Sequence, residues 1–144
     1  MRTEGKLPQV YYDVVSVSKI AAFLRSNVAK RMAAAACAGK LYKEQPFVLG
    51  LSAERLNESF PKEETVLIQG IIDVFFEEKG SYVVVDYKTD AVDNAGELVR
   101  RYQTQLDYYA EALEQLSGYG RSGEGLRTSE KIIYSFKLGE EIRV

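Results

Sequence analysis

The sequence predicts a mixed α/β fold with its main elements in the order α-β-β-β-α-β. An amphipathic helical segment is followed by three strand-like segments, and a second, longer helix separates the third strand from a fourth. A helix that connects two strands of one sheet forms a crossover, which places those strands parallel. We therefore expect a mixed sheet flanked by helices.

The first helix is predicted from about Ser18 to Ala38. Ser16 or Ser18 is a suitable N-cap, and Gly39 stands where a left-handed residue ends a helix. Asn27 leaves open the alternative of two shorter helices. The apolar residues at helical spacing are Ile20, Phe23, Leu24, Val28 and Met32, followed by alanines at 33–36.

Three strands are predicted next. The first runs from about Lys43 to Leu51, and Pro46 indicates an edge or bulged strand. The segments 65–76 and 82–88 are apolar at both odd and even positions. This pattern is typical of strands that are covered on both faces and are therefore central.

A long helix is predicted to begin at Asn94, with Glu97 completing a capping box, and to end at Gly118. The segment 117–125 contains four glycines and is predicted to be a loop, followed by a strand over 131–138 and a short tail strand. The apolar stripe of the helix comprises Leu98, Tyr102, Leu106, Tyr109, Leu113 and Leu116.

Composition excludes several kinds of chemistry. The chain of 144 residues has no His and one Cys, which excludes Ser-His-Asp catalysis, imidazole metal ligation and an internal disulfide or iron–sulfur cluster. With 46% hydrophobic and 28% charged residues we expect one soluble domain, cytoplasmic, with neither a membrane span nor a signal peptide. Any chemistry must use carboxylates, Lys, Tyr or a hard metal ion.

Two aspartates interrupt the apolar central strands. Asp73 lies in the second strand and Asp86 in the third, and Lys88 shares the face of Asp86 because strand side chains alternate. The turn over 78–81, with Gly80 supplying a positive φ, suits a two-residue hairpin. If its end residues pair, Asp73 lies directly opposite Asp86.

Two carboxylates at cross-strand distance need a proton, a cation or a metal ion between them. One interpretation is a structural salt bridge in which Lys88 neutralises one aspartate. The other is a divalent metal held by Asp73, Asp86 and the main-chain carbonyl of Tyr87, with Lys88 activating water. Oxygen ligands favour Mg²⁺ or Mn²⁺, and the constellation suits phosphodiester hydrolysis.

Three motifs, in this order and spacing, resemble the PD-(D/E)XK nuclease superfamily in its RecB-like branch. They are Gly70-Ile-Ile-Asp73, Val85-Asp86-Tyr87-Lys88-Thr89 and Gln105-Leu-Asp-Tyr-Tyr109-Ala. The segments 43–47 and 132–136 more specifically resemble the C-terminal nuclease domain of the A subunit of AddAB-type helicase–nucleases. The resemblance implies a restriction-endonuclease-like fold, with Asp73 and Asp86 as metal ligands and Lys88 as the catalytic lysine.

The resemblance also implies roles around this centre. Gln105 and Tyr109 would face the active site and the bound strand, and residues four apart do share a helix face. For Tyr109 the alternative is a core aromatic. Independently of the resemblance, the positive charges of Arg100 and Arg101 beside this face make them candidate DNA contacts, with a solvated helix edge as the alternative for at least one of them. Glu44 matches an acid of the family that contacts metal, a neighbouring ligand or only the backbone.

Relatives in this branch usually carry a further His ligand, which this chain lacks. We therefore expect a C-terminal piece of a larger helicase–nuclease, with a helical segment over about 1–42 and a nuclease core over 43–144. Without the His ligand, we expect the piece alone to bind metal weakly and to cleave poorly or not at all. ATP would be used only by the helicase domains of the parent chain, and the partner would be an AddB-like second protein.

The expected function is metal-dependent DNA hydrolysis in double-strand-break repair and recombination. Because a net charge of -2 gives little affinity for phosphates, we expect a motor to deliver single-stranded DNA. One alternative is a catalytically weak module that binds a partner subunit or DNA. Another is a stand-alone RecB-like nuclease.

Overall fold

A computed structural model of the chain describes residues 17–118 and 125–144 and has the predicted mixed α/β architecture. Its helices are α1 (Val17–Leu24), α2 (Asn27–Cys37) and α3 (Ala95–Ser117), with a short 3-10 helix at Ala53–Arg55. Its strands are β1 (Leu41–Ser52), β2 (Thr65–Glu78), β3 (Ser81–Lys88), β4 (Thr128–Ser135) and β5 (Glu140–Arg143).

The five strands form one sheet in chain order. The strands β3 and β4 are parallel, as the α3 crossover predicts, and the other neighbouring strands are antiparallel. Helix α3 covers one face of the sheet, where Val84 packs, and α2 covers the other, where Val83 and Val85 pack. No helix within residues 17–118 and 125–144 is both long enough and apolar enough to cross a membrane.

The first predicted helix is in fact two helices. Ser26 has an extended backbone, with φ of -69° and ψ of 159°, and its Oγ accepts the Ala29 N–H at 3.2 Å. This N-cap begins α2 at Asn27, which is the alternative that the sequence left open. Helix α1 begins at Val17, so Ser18 is not its N-cap, and Ser16 lies outside the described residues.

The β2–β3 hairpin has the predicted register. Lys79 and Gly80 both have positive φ, 53° and 76°, which suits a two-residue turn between twisted strands. Glu78 pairs with Ser81, and the antiparallel ladder continues to Val74 and Val85. The hairpin therefore aligns the strand segments that carry Asp73 and Asp86.

The prediction that β2 is covered on both faces is wrong for its first half. Leu67 and Ile71 are 63% and 56% exposed, and Val48 on the adjacent β1 is 59% exposed. The end of β2 packs under α2 through Val74 and Phe76, whereas this face of the first half of β2 is exposed. As Pro46 indicated, β1 is an edge strand.

Helix α3 begins and ends as predicted. The Asn94 side chain accepts the Glu97 N–H at 3.1 Å, and Gly118 has a φ of 82°. Most of the apolar stripe is buried, but Leu116 is 66% exposed and does not belong to the core. The loop predicted over 117–125 lies partly outside the described residues.

The strand predicted over 131–138 extends over Thr128–Ser135 instead. A turn follows Ser135, in which its main-chain oxygen accepts the Gly139 N–H at 2.8 Å and its Oγ accepts the Leu138 N–H at 3.0 Å. Ser135 is fully buried, and these two hydrogen bonds satisfy its polar atoms. The turn therefore ends the strand at Ser135. The predicted tail strand is β5.

Candidate active site

The backbone is irregular at Asp73. The register of β1 with β2 runs from Lys43 and Val74 directly to Gln45 and Ile72, and the β2–β3 ladder stops at Val74. Asp73 is thus outside both ladders, and its Oδ2 accepts the Tyr87 N–H at 3.0 Å in place of a main-chain oxygen. A carboxylate of β2 is thereby fixed against the end of β3.

This irregularity also changes which face the β2 side chains occupy. Ile72 and Phe75 both pack on the α3 side, whereas Val74 packs on the α2 side. A regular strand would place Ile72 and Val74 on one face, so the alternation of side chains is interrupted at this point. Opposite Asp73 on β1, Glu44 has a φ of 51°, which is a left-handed backbone for a non-glycine residue.

Asp86 is the buried member of the pair. It is 2% exposed, and burial, followed by hydrogen bonding to Asp73, raises its pKa to about 7. Lys88 opposes this shift, since its Nζ lies 2.8 Å from Asp86 Oδ2. This ion pair is the contact of Asp86 Oδ2, which is buried and has no further hydrogen-bond partner among the described residues.

A buried carboxylate oxygen that has no further hydrogen-bond partner is suited to binding a hard cation. The two carboxylates and the nearby main-chain oxygens are all oxygen donors, which Mg²⁺ and Mn²⁺ prefer. No cluster of three or more Asp, Glu, His or Cys side chains occurs in residues 17–118 and 125–144. Two carboxylates nevertheless fit Mg²⁺, because this ion keeps several waters and binds substrate phosphate oxygens as well.

Helix α3 brings two of the predicted residues to this centre. Gln105 Oε1 accepts a hydrogen bond from Lys88 Nζ at 3.2 Å. Tyr109 is 6% exposed, and its pKa is raised by burial and then by the charges of Asp86 and Asp73. Tyr109 is therefore a core aromatic, as one alternative had it, and also lies within electrostatic reach of both aspartates.

The other two predicted residues are more exposed than the two aspartates, although Glu44 lies opposite Asp73 in the β1–β2 register. Glu44 is exposed and forms no acidic cluster with Asp73 and Asp86. Arg101 is half exposed and forms ion pairs with Asp90 at 3.1 Å and with Glu97 at 3.7 Å. A DNA phosphate would have to compete with those two carboxylates for Arg101.

Two residues near Lys88 were missed from the sequence. The ring of Tyr102 lies under the Lys88 ammonium, with 3.9 Å between Nζ and the ring centroid, and its hydroxyl donates to Asp90 at 2.7 Å. Burial alone would raise the pKa of Asp90, but the bonds from Tyr102 and Arg101 outweigh it and hold that pKa below its usual range. Tyr102 lies three residues before Gln105 on the helix, and that spacing was the available signal.

Gly70 is required by the packing beside the site. An alanine Cβ there would lie 2.8 Å from Cε1 of the Phe47 ring, and that ring is 6% exposed and packs edge-on against Tyr109. Because the ring must shift away from its contact with Tyr109 to admit the added methyl group, we expect Gly70→Ala to lower the free energy of unfolding by about 1–3 kcal/mol. Urea unfolding measures this loss.

The same ribbon offers a matched control. An alanine Cβ at Gly50 would meet its nearest atom at 3.5 Å, which is ordinary contact, so Gly50→Ala should change stability by less than about 0.5 kcal/mol. The double variant Gly70→Ala/Phe47→Leu should lose less stability than the sum of the losses of the two single variants. Equal stability of the two glycine variants would contradict the proposed clash.

Comparison with known proteins places these residues in a family context. The PD-(D/E)XK nuclease superfamily matches residues 9–141. The chain is also similar to proteins named as the A subunit of an ATP-dependent helicase/nuclease. That of Lachnoclostridium phytofermentans is 36% identical over 179 aligned positions, which cover 100% of this chain and 12% of the relative.

Two further relatives of the same name have similar coverage. The protein from Clostridium beijerinckii is 36% identical over 137 positions, with 91% of this chain and 10% of the relative covered. The protein from Alkaliphilus metalliredigens is 37% identical over 135 positions, again with 91% and 10% covered. The chain thus spans about a tenth of the length of these curated relatives.

Proposed function

The chain belongs to the PD-(D/E)XK nuclease superfamily, and from this premise we propose that it hydrolyses DNA phosphodiester bonds with Mg²⁺ or Mn²⁺. The observation that carries the proposal is the meeting of Asp73, Asp86 and Lys88 at the end of β3, where a buried oxygen of Asp86 has the Lys88 ammonium beside it and no further hydrogen-bond partner among the described residues. Phosphodiester hydrolysis needs a cation at the phosphate and a positive side chain beside it, and this constellation supplies places for both.

Each residue has a role in this proposal. Asp73 and Asp86 would hold the ion, with the main-chain carbonyl of Tyr87 as a further oxygen ligand. When bound, the ion supplies a nucleophilic water at neutral pH and neutralises phosphate charge. Lys88 would orient the attacking water and stabilise the developing negative charge, while Gln105 limits the positions that its ammonium can take.

Single-stranded DNA is the substrate that we propose. A cavity of about 240 Å³ adjoins Gln105 and Tyr109, and its wall includes Phe47 and Tyr108. Aromatic walls suit an unstacked base, which a duplex does not offer. The net charge of -2 supplies little general attraction for phosphates, so delivery of the strand by a motor is part of the proposal.

We further propose that residues 1–144 are one nuclease unit of a longer, cytoplasmic ATP-dependent helicase–nuclease that processes double-strand breaks for recombination. The relatives with the helicase/nuclease name are about ten times as long as the matched segment. Within that protein, residues 1 to about 42 would form a helical segment and the remainder to 144 the nuclease core. Helicase domains of the same chain would use ATP, and the partner would be an AddB-like second protein.

A second candidate is a module that cleaves poorly and binds DNA or another protein of the complex. The raised pKa of Asp86 favours this candidate, because a proton competes with a metal ion for that carboxylate near neutral pH. DNA binding by the wild-type chain without cleavage, at saturating Mn²⁺ and alkaline pH, would support it over hydrolysis.

The proposed activity is tested with a labelled single-stranded oligonucleotide and either Mg²⁺ or Mn²⁺. Cleavage should require the metal and fall at least about a hundredfold in Lys88→Ala and in Asp73→Asn, since both remove stabilisation of the transition state. Asp107→Asn and Lys131→Ala, which break an ion pair between α3 and β4, should each stay within about twofold of the wild type. Undiminished cleavage in Lys88→Ala would refute the assignment.

A further inference from the structure

We propose that Tyr102 is a positioning residue for Lys88, an inference that rests on the function proposed above. Among the described residues, the Lys88 ammonium lies close to Asp86 Oδ2 at 2.8 Å, Gln105 Oε1 at 3.2 Å and the Tyr102 ring at 3.9 Å from its centroid. The first two are oxygen atoms, and the ring supplies a third, broad contact through its electron-rich face.

The ring is itself held in place. The Tyr102 hydroxyl donates to Asp90 Oδ2 at 2.7 Å, and the same oxygen accepts from Arg101 at 3.1 Å. Asp90 follows Lys88 by two residues in the segment that leaves β3. Tyr102 therefore connects α3 to this segment through its hydroxyl and to Lys88 through its face, and the two contacts together fix the position of the ring.

Lys88 needs a positioning residue because of the flexibility of the lysine side chain. Its four-carbon stem has many rotamers, and ordering it has an entropic cost. If Asp86 ligates a metal ion, the Asp86–Lys88 ion pair must weaken, because the carboxylate oxygen is then shared with the cation. Gln105 and Tyr102 do not change their charge in that event and continue to hold the ammonium beside the reacting phosphate.

Two substitutions test this geometry by separating the contribution of the Tyr102 ring from that of its hydroxyl. Tyr102→Phe keeps the ring face and loses the bond to Asp90, whereas Tyr102→Leu loses both. In Tyr102→Leu, kcat for single-stranded DNA should fall at least about tenfold while KM changes by less than about twofold, since strand binding does not depend on the position of Lys88. Tyr102→Phe should restore kcat to within about threefold of the wild type.

Tyr82→Leu is the matched control. Tyr82 is also partly buried and packs on the same core, against Phe75, but it lies at the opposite end of β3 from Lys88. This variant should lose a similar packing contribution to stability and keep its kcat. An equal loss of kcat in Tyr82→Leu and Tyr102→Leu would show a general packing effect and overturn the inference.

A second measurement does not depend on cleavage. In lysine-labelled protein, the ring current of Tyr102 should shift the Lys88 Hε NMR signals upfield, with Lys88→Arg identifying them. The shift should persist in Tyr102→Phe and disappear in Tyr102→Leu.

If Lys88→Ala abolishes cleavage but Tyr102→Leu leaves kcat and this shift unchanged, only the inference fails. If the wild type does not cleave, the proposed function fails and the NMR shift still decides whether Tyr102 holds Lys88.

Discussion

Replacement of Asp86 by asparagine is expected to stabilise the metal-free domain by roughly 2–4 kcal/mol at about pH 8. Asp86 is 2% exposed, and burial together with Asp73 raises its pKa to about 7. Above that pH, folding buries an ionised carboxylate beside a second one, and a neutral amide removes this cost. The gain is reduced because Lys88 loses its ion pair with Asp86.

The gain should depend on pH in one direction. Because the pKa of Asp86 is higher in the folded chain than in the unfolded chain, the folded chain keeps a proton that the unfolded chain releases. The stabilisation from this proton is complete below the unfolded pKa, about 4, and is lost as the pH rises through about 7. The advantage of Asp86→Asn should therefore grow by roughly 2–3 kcal/mol between about pH 5 and about pH 8.

Urea unfolding in the presence of a chelator measures this difference at both pH values. Asp107→Asn is the matched control, since Asp107 is 48% exposed and pairs with Lys131 at the surface. Its effect should stay below about 0.5 kcal/mol and should not change between the two pH values. A metal-free wild type that is more stable than Asp86→Asn at the higher pH would contradict the buried-charge explanation.

The features of the fold that the sequence predicted correctly depend on local chemistry. Gly80 supplies a positive φ in a two-residue turn, and this turn sets the whole β2–β3 register through Glu78 and Ser81. Asn94 and Gly118 likewise specify the two ends of α3. Because both determinants act within a few residues, the sequence predicts that the hairpin brings Asp73 close to the end of β3, although the ladder stops at Val74 and does not pair Asp73 directly with Asp86.

The features that the sequence did not predict depend on tertiary contacts. The irregularity at Asp73 involves a left-handed backbone at Glu44 on another strand, which no spacing within β2 indicates. The exposure of Leu67 and Leu116 depends on which other elements pack over them, and an apolar pattern does not contain that information. From the sequence, Tyr102 is assigned only to the apolar stripe of α3. The side chain that its ring contacts lies on β3, and the pattern of the helix does not show it.

The affinity of the domain for Mn²⁺ is expected to fall about tenfold from about pH 8 to about pH 6, and about a hundredfold by about pH 5. The metal ion must displace the proton of Asp86, whose pKa is about 7. Each pH unit below that pKa reduces the fraction of ionised Asp86, and thus the apparent affinity, by about tenfold. Above about pH 8 the affinity should level off, because the carboxylate is already ionised.

Calorimetric titration with Mn²⁺ in buffers of different ionisation enthalpy tests this linkage directly. Binding should release about one proton at pH 6 and almost none at pH 8, since only the protonated carboxyl has a proton to lose. The Asp86→Asn variant should bind weakly and release no proton at either pH. An affinity that does not change with pH, with no proton released, would mean that Asp86 is not a ligand or is not protonated in the folded domain. Asp73 alone would then have to hold the ion, and the two-carboxylate centre would be incorrect.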